Sequence, residues 1–214
     1  MFNFKIQNTM KRLFQALLVV ALMLIATSSA TAQVYDGITQ PTKWRVWLPV
    51  TVSTENVQNI NTTPFIGYRQ DICKHFNMTG VFQYNVRGKA AIPQIWLNAD
   101  IKGKLYFLSR SMYDTCNGLY KHTLSATYKL PLGFMVDATW DNLYDGNKFC
   151  DTDRLQVLAG YGNDKFVINA GYSMRNAKGF VTNLRLKLTS TQWVQLKYDS
   201  GAKNVTMALA MHFN

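Results

Sequence analysis

Residues 203–214 read Lys-Asn-Val-Thr-Met-Ala-Leu-Ala-Met-His-Phe-Asn. Val205, Met207, Leu209, Met211 and Phe213 fall on one parity, and Thr206, Ala208, Ala210 and His212 on the other. Successive side chains of an extended chain point to opposite faces, so this stretch is a strand with one greasy face and one small or polar face. The same alternation recurs upstream. In 179–189, Phe180, Leu184, Leu186 and Leu188 oppose Asn183, Arg185 and Lys187. In 165–175, Phe166, Ile168, Ala170, Tyr172 and Met174 oppose Asn169, Ser173 and Arg175. In 76–87, Phe76, Met78, Phe82, Tyr84 and Val86 oppose Asn77, Thr79, Gln83, Asn85 and Arg87. No segment sustains the 3.6-residue period of an amphipathic helix.

About twelve such segments follow one another, near 43–53, 63–72, 75–87, 92–102, 104–113, 120–130, 132–140, 153–161, 164–175, 179–189, 191–199 and 203–213. Most run about 9–12 residues, longer than the roughly 5–6 of soluble strands and matched to the roughly 9–11 that a tilted strand needs to cross a bilayer. The pattern is weakest at 104–113, where Tyr106 and Leu108 share a face with Arg110. With the first strand rising from the periplasm, one set of connections is short: Cys73-Lys74-His75, Lys102-Gly103-Lys104, Leu130-Pro131-Leu132, Gly162-Asn163-Asp164 and Ser190-Thr191. The other set holds the longer ones, 54–62, 88–91, 114–119 and 141–152, with short turns near Asn176 and Gly201.

The chain before the strands has its own character. Lys5, Lys11 and Arg12 precede an apolar run from Leu13 to Ala26, broken only by Gln15, and Ala30-Thr31-Ala32 supplies small residues before Gln33. This predicts a cleaved secretory signal over 1–32, because the run is shorter than the roughly 20 residues of a spanning helix. Residues 33–214 then form one domain. Composition agrees: of 214 residues 48% are hydrophobic, 13% aromatic and only 16% charged, which excludes a disordered or coiled-coil chain. Lys plus Arg is 23 against 12 Asp plus Glu, and removing the three bases of 1–32 leaves 20 − 12 = +8. The bases alternate along strands and do not cluster, so the charge does not point to nucleic acid.

The signal, the long alternating strands and the aromatic-ended last strand resemble a Gram-negative outer-membrane β-barrel over essentially all of 33–214. The resemblance implies an all-β, closed, antiparallel, up-and-down transmembrane barrel of about twelve strands, contact with outer-membrane lipid and lipopolysaccharide, and delivery by the barrel-assembly machinery. That machinery reads a last strand often ending in Phe; here Phe213 is penultimate and Asn214 follows. Closure also follows from physics, since a bilayer offers no water to unpaired backbone groups. Trp44, Tyr113, Tyr120, Trp140, Tyr161, Tyr198 and Phe213 lie near strand ends, where aromatic belts belong. The soluble alternative, a sandwich or lipocalin-like barrel, calls for shorter strands and a polar outer face.

If the apolar parity faces lipid, the opposite parity lines the lumen. It holds Arg45, Arg69, Arg87, Arg110, Lys121, Lys129, Arg154, Arg175, Arg185, Lys187 and Lys197, against Asp71, Asp100 and Asp137. Basic linings favour anions, and Arg grips carboxylate or phosphate through a planar fork. One expectation is therefore a narrow passive pore for anionic small solutes such as acidic sugars or phosphate. The alternative is a non-conducting scaffold that binds a surface or secretion partner, with Trp47 and Trp96 obstructing the bore. Enzyme chemistry has little support in the sequence. A barrel hydrolase needs Ser and His within reach on the lipid face, and His122 and Ser125 have opposite parity. Asp141, Asp145, Asp151 and Asp153 fall in an outer loop that His122 approaches, which reads as a solvated loop. Cys73 and His75 are too few for zinc, and no cofactor motif occurs. Cys116 and Cys150 lie in adjacent outer loops, so an oxidising periplasm favours a bridge between them.

Overall fold

The computed structural model describes residues 42–144 and 153–214; the expected leader lies outside them. The strands are β1 (Trp44–Ser53), β2 (Ile60–Thr62), β3 (Phe65–Cys73), β4 (Phe76–Asn85), β5 (Ala90–Ile101), β6 (Leu105–Asp114), β7 (Leu119–Lys129), β8 (Phe134–Tyr144), β9 (Arg154–Gly162), β10 (Phe166–Arg175), β11 (Gly179–Lys187), β12 (Gln192–Asp199) and β13 (Asn204–Phe213). A single 3₁₀ turn, Pro131–Gly133, precedes β8. All pairings are antiparallel and, apart from β1 with β3, join neighbours in the chain; β13 returns to β1, so the sheet closes. Trp44–Ser53 meets Phe213–Asn204 without interruption.

The other edge of β1 is shared. Trp44–Trp47 pairs with Tyr68–Phe65, and Val50–Val52 pairs with Thr62–Ile60. Thr63 and Pro64 fall between these two stretches. Proline lacks the N–H that a ladder needs, so β2 and β3 act as one interrupted stave. The ring thus has twelve staves, as the alternation implied.

Both described chain ends lie at one rim, with the turns 73–76, 101–105, 129–134, 162–166 and 187–192. We call it the terminal rim, and the opposite one the loop rim. The turn at Lys102–Gly103 has φ of 53° and 67°, the left-handed pair that suits tight hairpins. Asp100 secures it by accepting from the Gly103 N–H at 2.7 Å. Inside the wall, β9 and β10 approach closely at Gly160 and Gly171. A Cβ on Gly171 would stand 2.0 Å from the Val157 carbonyl oxygen, and one on Gly160 2.4 Å from that of Ile168, so both positions require a residue without a side chain.

The faces divide as the alternation predicts. Leu48, Ile66, Phe82, Ile95, Phe107, Leu124, Val136, Ile168 and Met207 are exposed on the outside, while Thr79, Asn98, Thr123, Ser173, Asn183 and Gln195 are buried inside. Such an outer surface is untenable in water and suited to acyl chains. Aromatics mark both margins of the greasy band. Trp44 meets Tyr68 edge-on at 4.9 Å, and Tyr161 lies 5.6 Å from Phe134 and 5.9 Å from Phe166, near the terminal rim. Tyr113 and Tyr120 lie 4.6 Å apart near the loop rim. The ambiguous stretch 104–113 settles with Tyr106 buried inside beside Arg110. Two boundaries differ in ways that matter: β4 stops at Asn85, not 87, and β8 continues to Tyr144, not 140, which brings Asp141 from the expected loop into the wall.

Candidate functional site in the barrel lumen

Because alternation sends every second side chain inward, the lumen is lined by short polar residues with a few long ones. They leave a cavity of about 400 Å³. One wall is aromatic. Trp47 on β1 stacks on Phe65 of β3 at 6.2 Å, Phe65 meets Trp96 of β5 edge-on at 5.3 Å, and the Arg110 guanidinium stands 6.0 Å from the Trp96 ring centre. Trp96 donates its indole N–H to Gln94 at 2.8 Å. In the ring order, β8–β11 lie across the bore from β1–β5. There the wall is hydrogen-bonding: Asp137 accepts from the Thr127 hydroxyl and from Asn169 Nδ2 at 3.1 Å. Arg185 donates from Nε to Gln195 at 3.1 Å. Arg45 and His212, opposed in register, are both buried and line the same cavity.

Two carboxylates toward the loop rim organise the remaining bases. Asp141 accepts from Thr123 Oγ1 at 2.5 Å and lies 3.6 Å from Lys121 Nζ and 3.9 Å from Arg110. Asp199 receives Arg154 Nη2 at 2.7 Å and the Ala202 N–H at 2.9 Å, with Lys197 at 3.9 Å. Arg154 also donates to Ser173 at 2.5 Å. These groups come from β6, β7, β8, β9, β10 and β12, so the charge cluster draws on strands from much of the ring.

The eleven bases expected in the lumen separate into three groups. Arg45, Arg110, Arg185 and Lys197 line the cavity, and Lys121 and Arg154 join the carboxylates beside it. Arg69, Lys129 and Lys187 sit toward the terminal rim: Arg69 pairs with Asp71 at 2.7 Å, Lys129 lies over Tyr106 at 4.8 Å and Lys187 over Trp193 at 5.7 Å. Arg87 and Arg175 are not in the lumen. Arg87 is exposed in the turn after β4, because the strand ends at Asn85. Arg175 closes β10 at the loop rim with a left-handed φ of 62° and binds Asp153.

The acids change as well. Asp100 is a turn cap and Asp71 a rim partner, whereas Asp141 and Asp199, not counted among the lumen acids, face inward. Within the bore Arg45, Arg110, Lys121, Arg154, Arg185 and Lys197 oppose Asp137, Asp141 and Asp199, an excess of 6 − 3 = +3. The excess keeps its sign but is smaller than the sequence suggested. Both missed acids carry the inward parity, in Asp137-x-Thr139-x-Asp141 and Gln195-x-Lys197-x-Asp199. That signal was legible for Asp199 within the expected 191–199 strand, and for Asp141 had the 132–140 strand been carried one residue further.

His122 faces outward and Ser125 inward, the latter bonded to Thr139 at 2.8 Å. Among the described residues no three His, Cys, Asp or Glu converge on a point that would hold a metal ion. Cys73 and Cys116 are exposed and form no disulfide among the described residues; Cys150 lies outside them.

No protein-family model matches the chain, and no curated protein does. Solved structures do. The KdgM porin superposes with a TM-score of 0.54 at 6% identity, covering 79% of this chain and 98% of its own. The KdgM porin in complex with disordered oligogalacturonate gives 0.55 at 7% over the same shares. The NanC porin gives 0.52 at 7%, covering 80% of this chain and 99% of its own. At such identities the likeness is one of fold: the chain is a closed, antiparallel, twelve-stave β-barrel of the architecture these porins have.

Proposed function

We propose that this barrel is a narrow passive pore of the bacterial outer membrane whose basic bore favours anionic small solutes. The charge of the cavity supports this most directly: among the described residues that line it, Arg45, Arg110, Arg185 and Lys197 stand against one carboxylate, Asp137. A low-dielectric wall focuses such a potential into the bore and concentrates anions there. Opposite the hydrogen-bonding wall, the Trp47, Phe65 and Trp96 rings offer flat apolar surface. A solute with a carboxylate and a ring face, such as an acidic sugar, matches both walls, and the oligogalacturonate complex of a porin with the same fold points the same way. Outer-membrane lipid and lipopolysaccharide are the partners of the outer face, and the barrel-assembly machinery is the partner in biogenesis. A Cys116–Cys150 clasp between outer loops belongs to this reading. In the chain-entropy model it would add about 3–4 kcal/mol, and linked peptides in an unreduced digest are the expected result.

Reconstitution into a planar bilayer under a salt gradient tests the pore. Discrete current steps with an anion-selective reversal potential are expected. The double change Arg185→Gln with Lys197→Gln should reduce the anion-to-cation permeability ratio several-fold, and Trp96→Ala should raise conductance. Cation preference in the unaltered barrel contradicts the basic bore. Absence of steps favours the second reading, a closed scaffold, which the aromatic wall and the Asp141 and Asp199 clusters support.

A further inference from the structure

The outer face of the barrel carries a polar row near the loop-rim margin of its greasy surface. Ser111 on β6 is directly opposed to His122 on β7, and His122 is directly opposed to Asn142 on β8. Ser111 Oγ and His122 Nδ1 are hydrogen-bonded at 3.0 Å. His122 is exposed on the lipid side. Asn142 is buried, 6% exposed, and its Oδ1 has no hydrogen-bond partner among the described residues. Side chains directly opposed on one face stand about 4.5–5.5 Å apart at Cβ, so Asn142 is placed to receive a hydrogen from the imidazole.

We propose that Ser111, His122 and Asn142 form a nucleophile, general base and positioning residue that cleave ester-linked acyl chains of the surrounding lipid. Nucleophile and base stand within hydrogen-bond reach, and Asn142 is opposed in register to the base on its other side, where a swing of its amide would orient the imidazole. The depth of the set fits the substrate. The next outward row toward the loop rim is the Tyr113–Tyr120 pair, and interfacial tyrosines sit at headgroup level. Two residues along a strand tilted by about 40° descend about 5 Å, which places the Ser111 hydroxyl where headgroups give way to acyl chains. The ester carbonyls of a leaflet lie at that junction. This activity is independent of whether the bore conducts.

The step balances without a cofactor. Ser111 Oγ adds to the acyl carbonyl carbon while its proton passes to His122 Nδ1. The carbon–oxygen bond to the lipid alcohol breaks as His122 returns that proton to the leaving oxygen. Water then adds to the acyl-Ser111 ester, losing a proton to His122. The fatty acid leaves, and Ser111 recovers its hydrogen.

The barrel refolded into mixed micelles, with folding checked by heat-dependent gel mobility, tests this directly. Two lipid sources share the ester chemistry, and the arms separate them: micelles of phosphatidylethanolamine and micelles of acylated lipopolysaccharide. Released fatty acid is read by mass spectrometry, and a fluorophosphonate probe is mapped to its peptide. Release from at least one source and labelling of Ser111 are expected. Ser111→Ala should abolish labelling, and His122→Ala should slow release by at least about 10²-fold. Asn142→Ala should lower turnover about 10-fold with the KM held, and Asn142→Asp should restore part of it. Ser109→Ala, on the same outer face, should leave release unchanged. A folded barrel that releases fatty acid from neither source and takes no label overturns the proposal. Equal release by a folded Ser111→Ala barrel does so too.

Discussion

Asp199→Ala lowers the unfolding free energy of the barrel in lipid vesicles by about 3–5 kcal/mol, the cost of leaving a buried cation without its anion. Asp199 is 2% exposed, and its Arg154 partner 14%. The substitution strands Arg154 beside Lys197 and strips the Ala202 N–H of its acceptor in the β12–β13 turn. A fully wetted ion pair is worth at most about 1 kcal/mol. Urea unfolding followed by tryptophan fluorescence therefore decides between a dry cluster and a solvated one. A loss under 1 kcal/mol means that water fills the bore at this level. The paired change Asp199→Leu with Arg154→Met should recover a large part of the loss, because it removes the buried charge as well as its partner.

Leu124→Arg and Ser125→Arg, one residue apart, should differ sharply. Leu124 is half exposed on the outer face at mid-strand, whereas Ser125 lines the cavity. A cation placed on the lipid face near the midplane costs about 2–4 kcal/mol, and lumen substitutions instead tune selectivity. The first variant should lose that stability in vesicles. The second should stay near the unaltered barrel while its conductance falls and its anion preference rises. Equal losses for both would contradict the assignment of faces.

How far the sequence reached depends on what each level of structure encodes. Alternation is a local signal, so the staves, their facing and the terminal-rim turns were legible from stretches such as 76–87 and 203–213. Strand ends were not, because Asp141-Asn142 has the composition of a loop although β8 runs through it. The lumen balance shifted in part for that reason, since Asp141 sits at an end that local composition leaves open, whereas Asp199 lies within the expected 191–199 strand on the parity of Lys197. Cross-strand partnership is a question of register, which no single segment contains. His122 was tested against Ser125 along its own strand, where opposite parity excludes contact. Ser111, on the preceding strand, becomes its partner only once β6 and β7 are aligned. The division of the eleven bases among bore, terminal rim and outer turns likewise required knowing where each stave stops.

The uneven borders of β1 have a bearing on how such a wall would part. Its partnership with the C-terminal strand is unbroken along its whole length, while its bond to its neighbour in sequence is cut at Thr63–Pro64. The joint between the two chain ends, made across the greatest distance in sequence, is therefore better stitched than the hairpin beside it. Under strain the cylinder is expected to part next to its clasp and not at it, starting from the gap at Thr63–Pro64.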